Sequence, residues 1–161
     1  KLNVIVDYAH TPQAIEATLL ALKNNRTNKK SRLIAIFGSA GKRDVSKRPL
    51  MGQVAAKVAD LVILTAEDPR TESVWSIINQ LKADLGQNHH KVLSIADRGQ
   101  AIYFAINQLA KPHDTIIIMG KGHEKSLCFG NTEYQWSDQE AVKKALKKQL
   151  PTLGPIINHD N

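Results

Sequence analysis

"RLIAIFGSAGKRD", residues 32–44, decides the fold: a continuous apolar, β-branched run ends at Phe37 and gives way at once to a basic loop carrying two glycines. An apolar run without polar alternation suits a strand buried on both faces, which means a parallel sheet with helices on either side. The same kind of run recurs as "NVIV" (3–6), "DLVILT" (60–65), "KVLSI" (91–95) and "DTIIIM" (114–119). Between these runs the apolar residues fall at helical spacing. Ile15, Leu19 and Leu22 make one stripe, Val74, Ile78, Leu81 and Leu85 a second, and Ile102, Ala105, Ile106 and Leu109 a third. Helix-start signals sit where the stripes begin: Thr11-Pro12 reads as N-cap and first helical residue, and Asp97 with Gln100 resembles a capping box, as does Ser137 with Glu140. Strand alternating with helix predicts an α/β, Rossmann-like, doubly wound, mostly parallel sheet. After Met119 the pattern changes, and "SLCFGNTEYQW" (126–136) predicts a hairpin turning at Gly130-Asn131, an antiparallel edge near the C-terminus.

With 161 residues, 42% hydrophobic and 23% charged, the chain has the composition of one soluble domain with a single core. No apolar stretch approaches the ~20 residues of a membrane span, and no secretory signal pattern opens the chain, so a cytoplasmic setting and no membrane partner are expected. Lys1-Leu2 runs directly into the first strand, as in a piece of something longer. The domain is expected over 1–150, with a poorly packed tail over 151–161. Cys128 stands alone, which rules out an internal disulfide and a cysteine zinc site and reads as a packed thiol. The net charge of +7 raises the question of polyanions. The cations are spread over "KNNRTNKKSR", "GKRDVSKRP" and "KKALKKQ", and aromatics are only 5% of residues, so stacking on bases has little to work with. Lys143, Lys144, Lys147 and Lys148 read as the solvated face of a last helix.

In open α/β sheets ligands sit beyond the carboxyl ends of the strands. The loops expected there are "DYAHTP" (7–12), "GSAGKRDVSKRP" (38–49), "AEDPRT" (66–71), "ADRGQ" (96–100) and "GKGHEK" (120–125), which combine charge with Gly, Pro or His. Gly41-Lys42 is not a phosphate loop of the GxxxxGK[ST] kind: only Ser39 and Ala40 separate the glycines, and Arg43 follows the lysine. Lys42, Arg43, Lys47 and Arg48, ahead of Pro49 in the first turn of a helix, still make an anion site. Asp7 and His10 read either as a turn cap and a loop histidine or as site groups. In "GKGHE" two glycines allow close backbone approach, while Lys121, His123 and Glu124 supply a cation, an imidazole and a carboxylate. No His or Cys spacing supports a protein-only metal site, and no Ser/His/Asp trio stands out. Phosphate and carboxylate recognition is the function read from these residues.

"DYAHTP", "FGSAGKRDVSKRPLMG", "EDPRTE" and "GKGHE", in this order and at these strand ends, resemble the C-terminal domain of the Mur ligases, most closely the branch that adds the third residue of the peptidoglycan stem peptide. The resemblance covers the chain up to about residue 148 and implies an ATP-dependent amide-forming ligase acting on UDP-N-acetylmuramoyl-dipeptide. It implies that Asp7, Tyr8 and His10 contact ATP, with Lys42 and Arg48 as phosphate-side cations. It further implies that Arg43, Asp68, Arg70, Gly120 and Glu124 hold the incoming diaminopimelate or lysine. The phosphate loop and the groups for Mg2+ belong in the family to a central domain and the UDP-sugar site to an N-terminal one, so this chain alone is expected to be inactive, a monomer partnered by those domains. Where diaminopimelate enzymes read "DNPR", this chain reads Glu67-Asp68-Pro69-Arg70: a group able to donate to a carboxylate is replaced by one that, ionised, only accepts. The alternatives are a related folate- or cyanophycin-type ligase and a basic RNA- or polyanion-binding module.

Overall fold

The computed structural model describes residues 1–152 with 154 and 155. Five strands, β1 (Asn3–Val6), β2 (Leu33–Phe37), β3 (Leu61–Leu64), β4 (Val92–Ser94) and β5 (Thr115–Ile118), form one parallel sheet in the order β1-β5-β2-β3-β4. The central runs β2, β3 and β5 are buried on both faces, as their lack of alternation requires, whereas the edge strands β1 and β4 are partly exposed. Leu33, Ala35 and Phe37 of β2 face one core, with Ile15, Leu19 and Met51, while Ile34 and Ile36 face another, with Ile102, Trp136 and Ala141.

Helices α1 (Pro12–Asn24), α2 (Lys47–Val58) and α3 (Val74–Leu81) cover the first face, and α4 (Arg98–Phe104) and α5 (Asp138–Leu146) the second. The caps form as expected: Thr11 accepts from the Ala14 amide, Asp97 from Gln100 and Ser137 from Glu140. Helix α2 shows no large apolar stripe. It buries Met51, Gly52, Ala55 and Ala56, and small residues let it come close to α3, since a Cβ on Gly52 would stand 1.8 Å from the Leu81 carbonyl oxygen. Helix α4 runs into a π-helical turn over Ala105–Leu109, which the third stripe spans without marking.

The hairpin turns at Gly130-Asn131, between β6 (Ser126–Phe129) and β7 (Thr132–Gln135). It is a two-stranded sheet of its own, not an added edge of the large one, and Phe129 bridges to Arg70 in the loop after β3. In α5 and just beyond it, Lys143, Lys147 and Lys148 are exposed. Of the tail expected at 151–161, Pro151 is buried, whereas residue 153 and residues 156–161 lie outside the described residues.

Candidate functional site

Strand β5 returns from the far side of the sheet to lie between β1 and β2, so the loops following these three strands open around one crevice at their carboxyl ends. A cleft of about 370 Å³ sits there, lined from four loops: Tyr8 and His10 after β1, Ala40, Arg43, Asp44 and Lys47 after β2, Glu67, Asp68 and Arg70 after β3, Gly120 and Glu124 after β5. A second hollow, about 400 Å³, is lined by Lys1, Asn28 and His113 at the amino ends of the strands, where such sheets do not bind ligands.

The loops after β2 and β3 are stitched together. The Gly41 amide donates to the Asp68 carbonyl at 2.9 Å, and Arg70 Nη1 donates to the Gly41 carbonyl at 2.8 Å. Asp68 (φ 39°) and Arg70 (φ 52°) occupy left-handed backbone that non-glycine residues adopt only when neighbours over-determine it. The hairpin does this: Arg70 N–H donates to the Cys128 carbonyl, Gly130 N–H to the Arg70 carbonyl, and Cys128 N–H to Asp68 Oδ1 at 2.8 Å. Cys128 is buried, and burial raises its thiol pKa.

Charge in the cleft is paired by sign. Lys121 Nζ, on a side chain only 2% exposed, lies 2.8 Å from Asp68 Oδ2 and 2.5 Å from Glu124 Oε2. Burial alone would lower the Lys121 pKa, but the hydrogen bonds to Asp68 and Glu124 outweigh it and the group is held above its ordinary value. Glu67 has no such partner. Its Oε2 is buried without a hydrogen bond, and burial raises its pKa to about 7 against the opposing fields of Arg98 and Lys121. Gly120 (φ 108°) makes room for it, since a Cβ there would stand 2.1 Å from Glu67 Oε2.

Residues 1–122 match the family described as "Mur ligase, glutamate ligase domain". The chain belongs to the Mur ligase family. It is 48% identical over 146 residues to the UDP-N-acetylmuramyl-tripeptide synthetase of Borreliella burgdorferi, covering 89% of this chain and 28% of that protein. It is 40% identical to the UDP-N-acetylmuramoyl-L-alanyl-D-glutamate--2,6-diaminopimelate ligase of Clostridioides difficile, covering 91% and 30%. The solved structure of a UDP-N-acetylmuramoyl-L-alanyl-D-glutamate--2,6-diaminopimelate ligase superimposes with a TM-score of 0.83 at 39% identity, covering 92% of this chain and 30% of that one. The chain thus spans less than a third of the length of these relatives.

The structure brings Tyr8, His10, Arg43, Asp68, Arg70, Gly120 and Glu124 of this Mur ligase domain to one cleft. It does not bring Arg48 there. Arg48 is fully buried, donating to Glu72 Oε2 at 2.9 Å, Gln80 Oε1 at 2.6 Å and the Ala40 carbonyl at 2.9 Å, so the expected phosphate-side cation is a brace beneath the loop. Lys42 is exposed and outside the cleft lining, its backbone N–H donating to Glu72 Oε1. Asp7 is also outside the lining, and its Oδ1 accepts the Ala9 amide at 2.7 Å, the turn-cap reading. Lys47 Nζ reaches the His10 carbonyl, and the Tyr8 ring packs against His10 and His123 with centroids 4.8 and 5.8 Å away. Lys47, read in the sequence as part of an anion site, lines the cleft, as do Glu67 and Asp44, which were not among the expected site residues. The only signal for Glu67 was its place at the head of "EDPR", which also reads as a plain turn.

Proposed function

We propose that this chain is the C-terminal domain of an ATP-dependent amide-forming ligase that adds the third amino acid, diaminopimelate or lysine, to UDP-N-acetylmuramoyl-dipeptide. The observation that carries this reading is the mixed lining of the cleft: Arg43 and Arg70 offer cations to a carboxylate, while Glu67 and Glu124 offer acceptors to an ammonium group. That pattern matches a zwitterionic amino acid better than a polyanion, which would want cations alone. The names of the relatives point to the muramyl-tripeptide branch and not to a folate or cyanophycin enzyme.

In this reading ATP phosphorylates the carboxylate of the nucleotide-linked dipeptide, the amine of the incoming amino acid attacks the acyl phosphate, and ADP and phosphate leave. The domain's part is positioning. Arg43 and Arg70 fix the distal carboxylate, Glu124 and Glu67 accept from the ammonium end, and Tyr8 and His10 offer ring surface to the nucleotide, so the attacking amine arrives already oriented. The family resemblance assigns Mg2+ to the central domain, and no step is routed through it here.

The test uses the longer protein that contains this chain. ADP should form when UDP-N-acetylmuramoyl-dipeptide, ATP and either diaminopimelate or lysine are supplied together, and the 161-residue chain alone should form none. Arg43→Ala should raise the amino-acid KM at least about tenfold, the scale of one charge-assisted contact. No ADP with any amino acid would refute the reading, and an unchanged KM would refute the role of Arg43.

A further inference from the structure

Arg98 lies beneath the cleft, with its side chain 1% exposed, out of reach of any ligand. Its Nε and Nη2 each donate to a different oxygen of Asp138 at 2.7 Å. Two further bonds go to backbone: Nη1 to the Ala66 carbonyl at 3.1 Å and Nη2 to the Met119 carbonyl at 2.9 Å. Ala66 and Met119 are the residues immediately before Glu67 and Gly120, the two groups that meet at the cleft. Asp138 is held in turn as the first residue of α5 and as acceptor of the Trp136 indole N–H at 2.7 Å. A buried ion pair is weak evidence for stability, because desolvation offsets the attraction. The two carbonyls show what this pair does: it ties the loop after β3 to the loop after β5 from below.

We propose that Arg98 is a positioning residue for the amino-acid subsite, its guanidinium, locked by Asp138, setting the separation between the Glu67 carboxyl and the Gly120 backbone. Only a planar fork can hold the Asp138 carboxylate and both carbonyls together, and an ammonium is a single point. The kinetic consequence rests on the ligase reading; the geometric one does not.

Two variants separate positioning from stability. Arg98→Lys keeps the charge and loses the fork. Arg98→Met combined with Asp138→Leu removes both charges, so that no unpaired ion is left buried. In the 161-residue chain the backbone order parameters of Glu67 and Gly120 should fall from about 0.85 toward 0.6 or below in both variants, while those of β2 and β3 hold. In the longer protein the amino-acid KM should rise at least about tenfold, with kcat and the ATP KM within about threefold of the parent. Rigid order parameters in both variants, or an unchanged amino-acid KM, would overturn the proposal. A longer protein that forms no ADP with any amino acid would sink the ligase reading, and the order parameters would still decide the positioning.

Discussion

Asp68 and Lys121 form an ion pair at the cleft, Asp68 Oδ2 lying 2.8 Å from Lys121 Nζ, and the other oxygen of the same carboxylate accepts the Cys128 amide at 2.8 Å. Both oxygens are therefore engaged, and Lys121, shared with Glu124, offsets part of the carboxylate's charge. On the proposed reading, this lets an acceptor stand where an amide would otherwise donate to a substrate carboxylate.

Asp68→Asn should keep the Cys128 contact through its carbonyl oxygen and lose the ion pair, leaving Lys121 with Glu124 alone. The cost to stability should be about 1–2 kcal/mol, the scale of one partly buried charged hydrogen bond. The new amide can donate to a second carboxylate, so the ratio of kcat/KM for diaminopimelate over lysine should rise about tenfold. An unchanged ratio would mean that Asp68 serves only the loop.

Glu67 should make the domain less stable as pH rises. Its pKa in the folded chain is about 7 against an ordinary 4.5, so below 4.5 both states are protonated and its burial carries no charge penalty. Between these values the folded state holds the extra proton, and each step up in pH favours unfolding. The full difference is about 3 kcal/mol, reached above pH 7. Denaturant titrations should show Glu67→Gln losing less stability than the parent over this window. Amino-acid binding should run the other way, tightening in the parent as Glu67 ionises and flat in the variant. Equal pH slopes in parent and variant would remove Glu67 from both roles.

The strands were legible because each falls in a short, mainly apolar run without helical spacing, and the hairpin because Gly130-Asn131 marks a turn between two short segments. Helix α2 was not legible as a stripe, since half of its buried residues are Gly or Ala, another is Arg48, and its fit depends on α3 arriving against Gly52. The same limit applies to the site. Arg43 and Arg48 carry the same charge in one basic stretch, and what separates them is the arrival of Glu72 and Gln80 from another part of the chain. Glu67 reads as a turn residue until Gly120 and Arg98 are seen to close around it.

Arg48 should prove structural. Arg48→Met strips Glu72 of its main partner and should cost about 3 kcal/mol, the low end for breaking a buried pair, because Glu72 is 21% exposed. The pH signature is specific. The hydrogen bond from Arg48, then the one from the Lys42 amide, hold Glu72 at about 2, below its ordinary 4.5. Its contribution is thus complete above 4.5 and lost as pH falls through 2. The parent should lose stability across that acid window, and Arg48→Met should lose less. A variant with parental stability and a weakened ATP KM would return Arg48 to the nucleotide site.

Gly120→Ala tests the closest approach in the cleft. The added methyl would stand 2.1 Å from Glu67 Oε2, at a backbone φ of 108° that side chains rarely adopt. Glu67 Oε2 is already buried there without a hydrogen bond. Backbone strain and the displaced carboxylate together should cost about 1–3 kcal/mol. On the proposed reading the functional loss should exceed the loss of stability, because Glu67 would be driven from the position assigned to it as acceptor for the substrate ammonium. Calorimetric titration of the longer protein with the amino acid, well below the variant's unfolding temperature, should show affinity reduced at least about tenfold. Glu67→Ala combined with Gly120→Ala relieves the clash but not the backbone strain, and should recover part of the stability without restoring affinity. Recovery of both would place the ammonium on Glu124 alone.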